Sequence, residues 1–474
     1  MHKPWDVIII GAGTVGLPAA IFAAQRSDKI LVLDAAPDIG GTLHLSGGQM
    51  SAAGTRLQQE KGIEDSPALH FEDVMRISKN TADSELVGLA VNNAAETMDW
   101  LETIGFQPLP GHPVKGQDHE PYSVQRYVWG AELGQSVLAV LRPQFKAVVE
   151  SGRVTLKLST RVTRLVQEDD GAVTGVVTST EGGAEETFSA RSVVIAAGGY
   201  VANASLYEEL SGHPAYADYC YPHCVGDGLT LGLAAGGVSR GREHYLTSFG
   251  SVMQSYDVPS KVRCDLEHWP ERRMPWEIYV NVHGKRFIRE DEPSVDVREH
   301  ILQGQPDVRY WIVCDAVTLK EAPPLCPAFS PDEIKTAAES GEPMFYVAET
   351  IAALAEKAGL PGDVLAETVT AFNDGQARGV DYFGRSHLPR PVAKAPFYAI
   401  RAQGISVSGV VGLKVNNDLQ IIRDDGTPVP GLYAAGEALG AGATMGNAIC
   451  GGMLVTPALT FGRILGQHLL PMSG

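Results

Sequence analysis

The sequence predicts an α/β protein with an α+β domain inserted into the first domain. An apolar, β-rich run at residues 7–10 leads directly into a glycine-rich turn and an Ala-rich helical pattern. Glycine-rich motifs return towards the carboxyl terminus, but between about residues 240 and 390 they lapse and the composition changes. A strand, turn and helix in direct succession is typical of α/β folds. We therefore expect a first domain at residues 1–238 and 393–474, interrupted by a cap domain at residues 239–392.

The opening turn has the GxGxxG pattern of a Rossmann-like, dinucleotide-binding unit. Gly11 makes the turn, Gly13 lets backbone approach a pyrophosphate, and Gly16 lets the helix pack closely on the strand. The helix N-terminus would face the phosphates with unpaired N–H groups and a partial positive charge. Residues 29–33 then read as a second strand that ends at Asp34, where a ribose hydroxyl would meet it. Because strand, helix and acid fall in register, the pattern predicts a bound dinucleotide.

Hydrophobic periodicity predicts the elements that follow. Apolar residues recur at helical spacing over residues 82–106, and residues 131–150 also read as a helix. Residues 153–180 alternate as two strands do around the turn at Asp170 and Gly171. Residues 332–378 look helical and carry no visible chemistry. These patterns predict core elements rather than a functional site.

The composition describes an ordinary globular protein and argues against some partners. The chain has 474 residues, of which 44% are hydrophobic and 20% charged, enough for about two domains. Its net charge of -18 argues against a nucleic acid or an anionic membrane surface as partner. An anionic cofactor is still compatible, because backbone N–H groups bind phosphates locally.

The amino terminus and the cysteines indicate the compartment. The first strand begins about five residues into the chain, which leaves no room for a signal peptide. No apolar run reaches the length of a membrane-spanning helix, so we expect a cytoplasmic protein. The cysteines lack the paired spacing of zinc ligands, which predicts free structural thiols and no metal site. They are Cys220, Cys224, Cys264, Cys314, Cys326 and Cys450.

The glycine-rich stretch after Asp34 carries a family resemblance. The segment GGTLHLSGGQMSAAGT, followed by KGIEDSPALHFEDVM and MDWLETIGF, resembles the fumarate reductase/succinate dehydrogenase flavoprotein superfamily, which includes 3-ketosteroid dehydrogenases. The resemblance implies that this stretch cradles FAD. Some members attach the flavin covalently through a histidine, but Gly41 occupies that position here, so the resemblance implies non-covalent FAD and a packing role for His44. The implied contacts are Gly41, Thr42, Ser46, Gly47 and Gly48.

Later motifs match the same superfamily. The strand SARSVVIAAGGY would bring the chain back to the phosphate side of the cofactor. A GDG turn would begin a helix with Asp227 at its N-cap. In GLYAAGE, Glu437 would accept hydrogen bonds from the ribityl chain. A last helix, led by Gly451 and Gly452, would present its positive end to the flavin. The further implied FAD-binding residues are Val162, Ala197, Gly198, Asp227, Gly436, Glu437, Gly452 and Leu454.

The positions that hold a dicarboxylate in fumarate reductases carry no cation in this sequence. An ungapped count from the matched turns places the family's histidines and arginines at uncharged residues. A dicarboxylate buried without cationic partners would pay a large desolvation cost. The count therefore favours a neutral and fairly apolar substrate. The positions are Ser248, Ser294, Ser406 or Val407, and Ile449.

The resemblance to 3-ketosteroid dehydrogenases indicates where a proton would move. In those enzymes a tyrosine removes a proton beside a ketone, hydride passes to flavin N5, and a tyrosine hydroxyl with a backbone N–H steadies the enolate. Their tyrosine positions fall at Ser294 and near Ala448, whereas Gly452 matches the glycine that supplies the N–H. Four tyrosines are candidates because of where they lie in the chain: Tyr122 and Tyr127 in an aromatic loop, and Tyr245 and Tyr279 in the cap domain. Ser294 is a further candidate, and Arg273 is placed like an arginine of the family's proton relay.

The sequence thus predicts an FAD-dependent oxidoreductase that dehydrogenates or reduces a carbon–carbon bond next to a ketone in a neutral, apolar cyclic substrate. One alternative is a fumarate reductase-like reductase of an unsaturated carboxylate, which would use Arg126 or Arg273. Another is a non-catalytic, flavin-binding redox sensor. The expected partner is a small molecule. A second GxGxxG motif for a nicotinamide is absent, which disfavours direct use of NAD(P)H and leaves the electron acceptor unassigned.

Overall fold

The structure is a computed structural model that describes residues 4–116, 119–180 and 182–470. The chain divides into two compact units, which we describe separately. Unit 1 comprises Met1–Gly212, Cys220–Tyr245 and Ser408–Gly474, and unit 2 comprises His213–Tyr219 and Leu246–Val407.

The regular elements alternate along the chain. The strands are β1 Trp5–Ile10, β2 Ile30–Leu33, β3 Met50–Ser51, β4 Tyr127–Val128, β5 Val154–Lys157, β6 Thr160–Gln167, β7 Val173–Thr180, β8 Glu185–Ile195, β9 Ser239–Arg240, β10 Ser251–Met253, β11 Val262–Asp265, β12 Ile278–Val280, β13 Arg309–Asp315, β14 Phe345–Ala348, β15 Phe397–Gln403, β16 Gly412–Leu413, β17 Gln420–Ile422 and β18 Pro428–Ala434. The α-helices are α1 Gly16–Ala23, α2 Arg56–Glu60, α3 Pro67–Ile77, α4 Ser84–Thr103, α5 Gly134–Glu150, α6 Ala204–Ser211, α7 Asp227–Ala234, α8 Val295–Gln303, α9 Ala316–Glu321, α10 Pro331–Ser340, α11 Ile351–Ala358, α12 Gly362–Arg378, α13 Gly442–Met445 and α14 Val455–His468.

Unit 1 is built on a sheet with a parallel centre. The strand order is β17-β18-β8-β1-β2-β5, and the antiparallel pair β7 and β6 extends from β8. Strands β1 and β2 are apolar runs that are buried on both faces, which is the usual environment of parallel strands. Because β1, β2 and β8 run in the same direction, their carboxyl ends meet at one edge of the sheet. The predicted glycine turn, Asp34 and Gly198 all follow strands at this edge.

Helix α14, near the carboxyl terminus, packs closely against α1. A Cβ atom on Gly462 would lie 2.3 Å from the carbonyl oxygen of Val15, and one on Gly466 would lie 2.5 Å from that of Ala19. The fully buried Arg463 also donates a hydrogen bond of 3.0 Å to Thr97 Oγ1 on α4. These contacts tie α14 to α1 and α4. The helices predicted at residues 82–106 and 131–150 are observed as α4 and α5.

Unit 2 is built on an antiparallel sheet with the order β11-β10-β15-β13-β12, to which β14 is added beside β15. Its core includes Ile278, Val313, Leu354, Leu365, Phe372 and Ala399. Residues 393–474 are predicted to belong to the first domain. Strand β15, however, pairs with β13 along its full length and therefore belongs to unit 2. The prediction that residues 332–378 are helical is wrong at β14, because this segment pairs with β15.

Among the described residues, no helix is both long and apolar enough to cross a membrane. The same part of the chain contains no group of three or more His, Cys, Asp or Glu side chains arranged to hold a metal ion. All six cysteines are free thiols, as predicted.

Candidate active site

The glycine turn after β1 is shaped by close backbone contacts. Gly11 has φ +110°, and a Cβ atom there would lie 2.2 Å from the carbonyl oxygen of Ala196. A Cβ atom on Gly16 would lie 1.8 Å from the carbonyl oxygen of Gly11. No side chain fits at either position, so both require glycine. The turn is therefore packed against its own helix and against the end of β8.

Gly13 has room for a Cβ atom, which would make only ordinary contacts with protein. A Cβ atom there would meet its nearest protein atom, Gly41 Cα, only at 3.8 Å. The N–H of Gly40 donates a hydrogen bond of 2.9 Å to the carbonyl oxygen of Ala12, which holds the loop after β2 against the turn. The space in front of Gly13 is thus bordered by glycine backbone and by the start of α1. These features fit the pyrophosphate of a dinucleotide.

Asp34, which directly follows β2, is hydrogen-bonded to the glycine turn after β1. Its carboxylate accepts hydrogen bonds from the backbone N–H groups of Ala12 at 2.7 Å and of Ala36 at 2.8 Å. Burial raises the pKa of this carboxyl, and the two N–H groups oppose that shift. The ribose contact of Asp34 stays a prediction. The structure adds a second role, since the carboxylate links the turn after β1 to the end of β2.

The Ser-Gly-Gly segment is held by its own hydroxyl group and by α5. Ser46 Oγ accepts a hydrogen bond of 2.9 Å from the N–H of Gly48, and the carbonyl oxygen of Ser46 accepts one of 2.9 Å from the N–H of Gly134. A Cβ atom on Gly48 would lie 2.5 Å from the backbone nitrogen of Gly134. The short 3₁₀ helix Gly41–His44 precedes the segment. One continuous loop therefore holds Gly41, Thr42, Ser46, Gly47 and Gly48.

His44 is fixed by packing and hydrogen bonds. Its Nε2 lies 2.9 Å from the carbonyl oxygen of Ile39, and its Nδ1 lies 3.1 Å from Gln135 Nε2. The ring also stacks on Tyr221 with 6.2 Å between the ring centroids. Both ring nitrogens are thus engaged by protein atoms, which supports the packing role expected for His44.

The predicted residues on the phosphate side of the cofactor lie directly after β8 and on β6, a strand that pairs with β7. Ala197 and Gly198 follow β8 directly, and Val162 is buried on β6. The predicted N-cap role of Asp227 is wrong. Gly226 occupies the N-cap in a left-handed conformation, and Asp227 is the first helical residue, whose carboxylate pairs with Arg161.

Glu437 is a partly exposed residue whose carboxyl group is enclosed by glycine backbone. It accepts hydrogen bonds from the backbone N–H groups of Gly409 and Gly199. A Cβ atom on Gly199 would lie 2.6 Å from Glu437 Cδ, so the approach is close. Burial of the carboxyl raises its pKa to about 7, although the two N–H groups oppose the shift. Glu437, which follows Gly436, is thus an acceptor-rich group in a desolvated setting, suited to ribityl hydroxyl donors.

Replacing Glu437 by glutamine is expected to stabilise the apoprotein at pH 8 but not at pH 4. The folded-state pKa of about 7 lies above the ordinary value of 4.5, so the ionised carboxylate destabilises the fold increasingly from pH 4.5 upward and fully above pH 7. The expected gain at pH 8 is on the order of 1–3 kcal/mol. Urea unfolding of E437Q and wild-type apoprotein at both pH values measures it, and an equal gain at both would contradict the raised pKa.

Gly451 and Gly452 precede α14 instead of leading it, because the helix begins at Val455 with Leu454 as its N-cap. Gly452 has φ +81°, and a Cβ atom there would lie 2.4 Å from the backbone nitrogen of Ser51. The buried hydroxyl of Tyr122 donates a hydrogen bond of 2.5 Å to the carbonyl oxygen of Gly451. Burial raises the pKa of Tyr122 well above its ordinary value, so the hydroxyl stays protonated. Tyr122 therefore acts on this segment as a positioning residue.

The other aromatic candidates of unit 1 have structural contacts as well. Tyr127 is buried, and a Cβ atom on Gly451 would meet its ring at 3.0 Å. Tyr245 is predicted to lie in the cap domain, but it belongs to unit 1. Its backbone N–H donates a hydrogen bond of 3.4 Å to Oδ1 of Asn447, which also belongs to unit 1.

In unit 2, the candidates Arg273 and Tyr279 meet at one buried carboxylate. Arg273 donates two hydrogen bonds to Glu277, at 2.7 and 2.8 Å, and the Tyr279 hydroxyl donates one of 3.3 Å to Glu277 Oε1. Burial would raise the pKa of the Glu277 carboxyl, but the charge and hydrogen bonds of Arg273, together with a backbone hydrogen bond and the charge of Arg385, lower it to about 2. Burial raises the pKa of Tyr279 far above 10. The cluster therefore holds an ion pair and a neutral phenol.

Ser294 and Arg298 belong to the same helix of unit 2. Ser294 caps α8, because its Oγ accepts a hydrogen bond of 3.3 Å from the N–H of Val297. Its predicted part in proton movement stays a prediction. Arg298 lies four residues later and is fully buried. No sequence signal points to this residue, since an arginine on a helix is ordinarily exposed.

Comparisons with known proteins agree with this arrangement. Residues 6–454 match the family described as FAD binding domain. The chain is 28% identical to the fumarate reductase (cytochrome) of Shewanella frigidimarina, over 98% of this chain and 77% of that protein. It is 26% identical to the 4-oxocyclohexanecarboxylate 2-dehydrogenase of Sinomonas cyclohexanicum, over 99% and 93% of the two chains. It also shares the fold of 3-ketosteroid delta1-dehydrogenase from Sterolibacterium denitrificans, with a TM-score of 0.75, 20% identity and 99% of each chain covered.

The family match extends over most of the chain and includes both glycine-rich ends of unit 1. The α/β fold class, the FAD cofactor and the superfamily predicted from the sequence are confirmed. The glycine backbone around Gly13 and the enclosed carboxyl of Glu437 fit that cofactor. The chain thus belongs to the FAD binding domain family, within the fumarate reductase/succinate dehydrogenase flavoprotein superfamily, and is an FAD-dependent oxidoreductase.

Proposed function

We propose that this protein dehydrogenates, or reduces, a carbon–carbon bond next to a ketone in a neutral, apolar cyclic substrate. The Sinomonas relative supports the ring ketone and the dehydrogenation in this proposal, since its name gives a ring oxo group and a 2-dehydrogenation, whereas the carboxylate in the same name does not support a neutral substrate. When bound, FAD supplies the hydride acceptor or donor for such a reaction. The residues of the chain then have to orient the substrate carbonyl and move one proton.

The observation that carries the proposal is the state of the two arginines available to a carboxylate reductase. Arg126 contacts Asp65 at 2.8 Å and Asp73 at 2.9 Å, and all three side chains are buried. Arg273 is held by Glu277 in the same two-pronged manner. A buried cation that is already neutralised offers little attraction to a second carboxylate. These two arginines therefore do not favour an acidic substrate.

The proton-handling groups follow from the contacts of unit 2. Tyr279 is a neutral phenol at physiological pH, and its hydroxyl hydrogen is directed to the Glu277 carboxylate. We assign Tyr279 to the proton step and Arg273 to holding Glu277 in place. In unit 1, we assign the backbone N–H of Gly452 to the substrate carbonyl oxygen, because an N–H beside a developing enolate lowers its energy. Tyr245 and Ser294 are further candidates for the proton step.

The proposal is tested by the response of the flavin to a matched panel of compounds. Oxygen-free holoenzyme is mixed with cyclic ketones and with the corresponding alcohols, and dithionite-reduced holoenzyme is mixed with cyclic enones and with cinnamate-like acids. We expect ketones to bleach the visible flavin band or enones to restore it, whereas the alcohols leave it unchanged. A flavin that responds to the unsaturated acids alone contradicts a ketone substrate.

A pair of tyrosine variants tests the assignment of the proton step. Y279F is expected to slow the flavin response to the active ketone or enone by about a hundredfold or more, as loss of a proton-transfer group does. The control is Y382F, because Tyr382 is an almost fully exposed tyrosine of the same unit. A Y279F variant that reacts at the wild-type rate would move the assignment to Tyr245 or Ser294.

A second candidate function, a reductase of an unsaturated carboxylate, is favoured by one other side chain. Arg298 is a fully buried arginine of unit 2 whose three guanidinium nitrogens have no hydrogen-bond partner among the described residues. Such a cation would attract a carboxylate, in contrast to Arg126 and Arg273. The panel above separates the two candidates, because each predicts a different class of compound that restores the oxidised flavin.

A further inference from the structure

Two of the six free thiols, those of Cys264 and Cys326, are in direct contact in unit 2. Cys264 lies on β11, and Cys326 lies in the connection between α9 and α10, residues 322–330. A hydrogen bond joins the two thiols, and both residues are buried. Because the two cysteines are distant in sequence, only the tertiary structure brings them together.

The α9–α10 connection is attached to the β11 segment on both sides of this thiol pair. On one side, the N–H of Glu267 donates a hydrogen bond of 2.7 Å to the carbonyl oxygen of Leu325. On the other side, the guanidinium carbon of Arg263 lies 4.9 Å from the ring centroid of Phe329. Strand β11 is at the edge of its sheet. The thiol contact is therefore held in place by the packing of the connection on an edge strand.

The two thiols differ in reactivity. The hydrogen bond from the Cys326 thiol lowers the pKa of Cys264, although burial opposes this shift. The same hydrogen bond, together with burial, raises the pKa of Cys326. Because the thiolate is the nucleophilic form of cysteine, Cys264 is the thiol that reacts first with an oxidant. Cys326 is then placed to attack the oxidised sulfur of Cys264.

The same connection also holds Arg273. The Nε–H of Arg273 donates a hydrogen bond of 2.7 Å to the carbonyl oxygen of Pro323, three residues before Cys326. A cavity of about 30 Å³ lies against the connection, and its walls include Pro323, Leu325, Arg273 and Glu277. The connection therefore has space into which it can shift. A shift of Pro323 would move the guanidinium that holds the Glu277 carboxylate.

We propose that Cys264 and Cys326 form a reversible disulfide with hydrogen peroxide as the oxidant, and that this disulfide slows the enzyme by displacing the connection that holds Arg273. Formation of the covalent bond draws the two sulfur atoms together, so the connection must move towards β11. Hydrogen peroxide is small, and local opening at a sheet edge gives it access to buried thiols. The effect on the rate rests on the role proposed above for Arg273, whereas the disulfide itself does not.

The reaction balances in two steps. The Cys264 thiolate attacks one peroxide oxygen, so that an S–O bond forms, the O–O bond breaks, and the hydroxide released takes up a proton to give water. The Cys326 sulfur then attacks the sulfenic acid of Cys264. The S–S bond forms, the S–O bond breaks, and the oxygen leaves as water with the proton of the Cys326 thiol. The two sulfur atoms together lose two electrons, which reduce the peroxide.

The disulfide is tested by mass mapping of the holoenzyme after peroxide treatment. Free thiols are blocked with iodoacetamide and the protein is digested with trypsin, which places Cys264, Cys314 and Cys326 in the separate peptides 264–272, 310–320 and 321–335. We expect the first and third peptides to be cross-linked and to separate with dithiothreitol, whereas the Cys314 peptide carries the blocking group. Absence of this cross-link in samples whose methionines are oxidised overturns the proposal.

The rate of the flavin response connects the disulfide to the site. The compound used is a member of the panel above that reacts with untreated holoenzyme. Cross-linked holoenzyme is expected to react about tenfold more slowly or worse, since a small misplacement of a positioning residue lowers the rate strongly. Dithiothreitol should restore the rate. An unchanged rate in cross-linked protein overturns the switch. A flavin that responds to no compound before oxidation contradicts the function proposed above and not the disulfide, which mass mapping measures by itself.

Variants assign the effect to the thiol pair. C264S and C326S should each lose the cross-link and the peroxide-dependent slowing, and C264S provides the result if C326S, a change at a completely buried residue, does not fold. The control is C314A, because Cys314 is another buried thiol of unit 2, and this variant should keep both effects. Slowing of wild-type size in C264S would assign the effect to another residue and contradict the proposal.

Discussion

Replacing Arg273 by methionine is expected to lower the free energy of unfolding by about 3–5 kcal/mol, because it leaves the Glu277 carboxylate buried without its cation. Both side chains are almost completely buried, and the ion pair has two hydrogen bonds of 2.7 and 2.8 Å. Chemical denaturation of the R273M variant measures the loss. Replacing both residues, as R273M/E277M, should recover most of the stability, since the desolvation cost of the pair disappears together with its attraction.

The same pair of variants separates a structural role from a proton-handling role. If Arg273 and Glu277 take part in proton movement, R273M/E277M will be stable but inactive in the flavin assay. Recovery of both stability and turnover would assign Arg273 to structural support alone. A single R273M variant as stable as the wild type would contradict the buried ion pair itself.

The loss in R273M should also depend on pH. Burial would raise the pKa of Glu277, but Arg273, with a backbone hydrogen bond and Arg385, lowers it to about 2, below the ordinary value of 4.5. This carboxylate therefore contributes stability above pH 4.5 that is lost as the pH falls towards 2. The difference between wild type and R273M is therefore expected to be larger at pH 7 than at pH 3. An unchanged difference would show that Glu277 is not ionised in the native protein.

Replacing Gly13 by alanine is expected to weaken FAD binding by about tenfold to a hundredfold and to leave the stability of the apoprotein almost unchanged. The added Cβ would meet protein only at 3.8 Å, an ordinary contact distance, and φ at Gly13 lies outside the left-handed region. The new methyl group would instead occupy the space assigned to the pyrophosphate, at a cost typical of overpacking. Flavin fluorescence titration of the apoprotein measures the affinity, and urea unfolding measures the stability.

Gly11 provides the matched control for this experiment. In G11A the Cβ would lie 2.2 Å from the Ala196 carbonyl oxygen, in a backbone conformation with φ +110°. The variant should therefore destabilise the apoprotein itself by about 1–3 kcal/mol. A G13A variant that destabilises the apoprotein as much as G11A, or binds FAD like the wild type, would show that the backbone around Gly13 does not bind the cofactor.

The sequence predicted most of the cofactor-binding unit because its signals are local. The positions of the glycines relative to β1 and α1, and of Asp34 at the end of β2, are fixed by a few consecutive residues. The periodic patterns that gave α4 and α5 are likewise local. The N-cap of α7 was misjudged by one residue, since the left-handed conformation of Gly226 makes glycine the cap in place of Asp227.

Contacts between distant parts of the chain could not be predicted from such local patterns. Strand β15 belongs to unit 2 because it pairs with β13, about ninety residues earlier in the chain, and Tyr245 belongs to unit 1. Whether an arginine is neutralised also depends on distant partners. Arg126 meets Asp65 and Asp73, whereas Arg298 meets aromatic rings.

The amino-acid order alone determined the α/β class, the dinucleotide turn and, through the superfamily motifs, FAD. Only the tertiary structure decided which cations are buried and whether they meet a partner from another part of the chain, because this depends on residues that are distant in sequence and on the water that folding excludes. Glycine spacing acts within a few residues through backbone geometry, so it can be read from the sequence. The pairing of Arg126 with Asp65 and Asp73 and the burial of Arg298 arise from long-range packing and desolvation, which the linear sequence does not display.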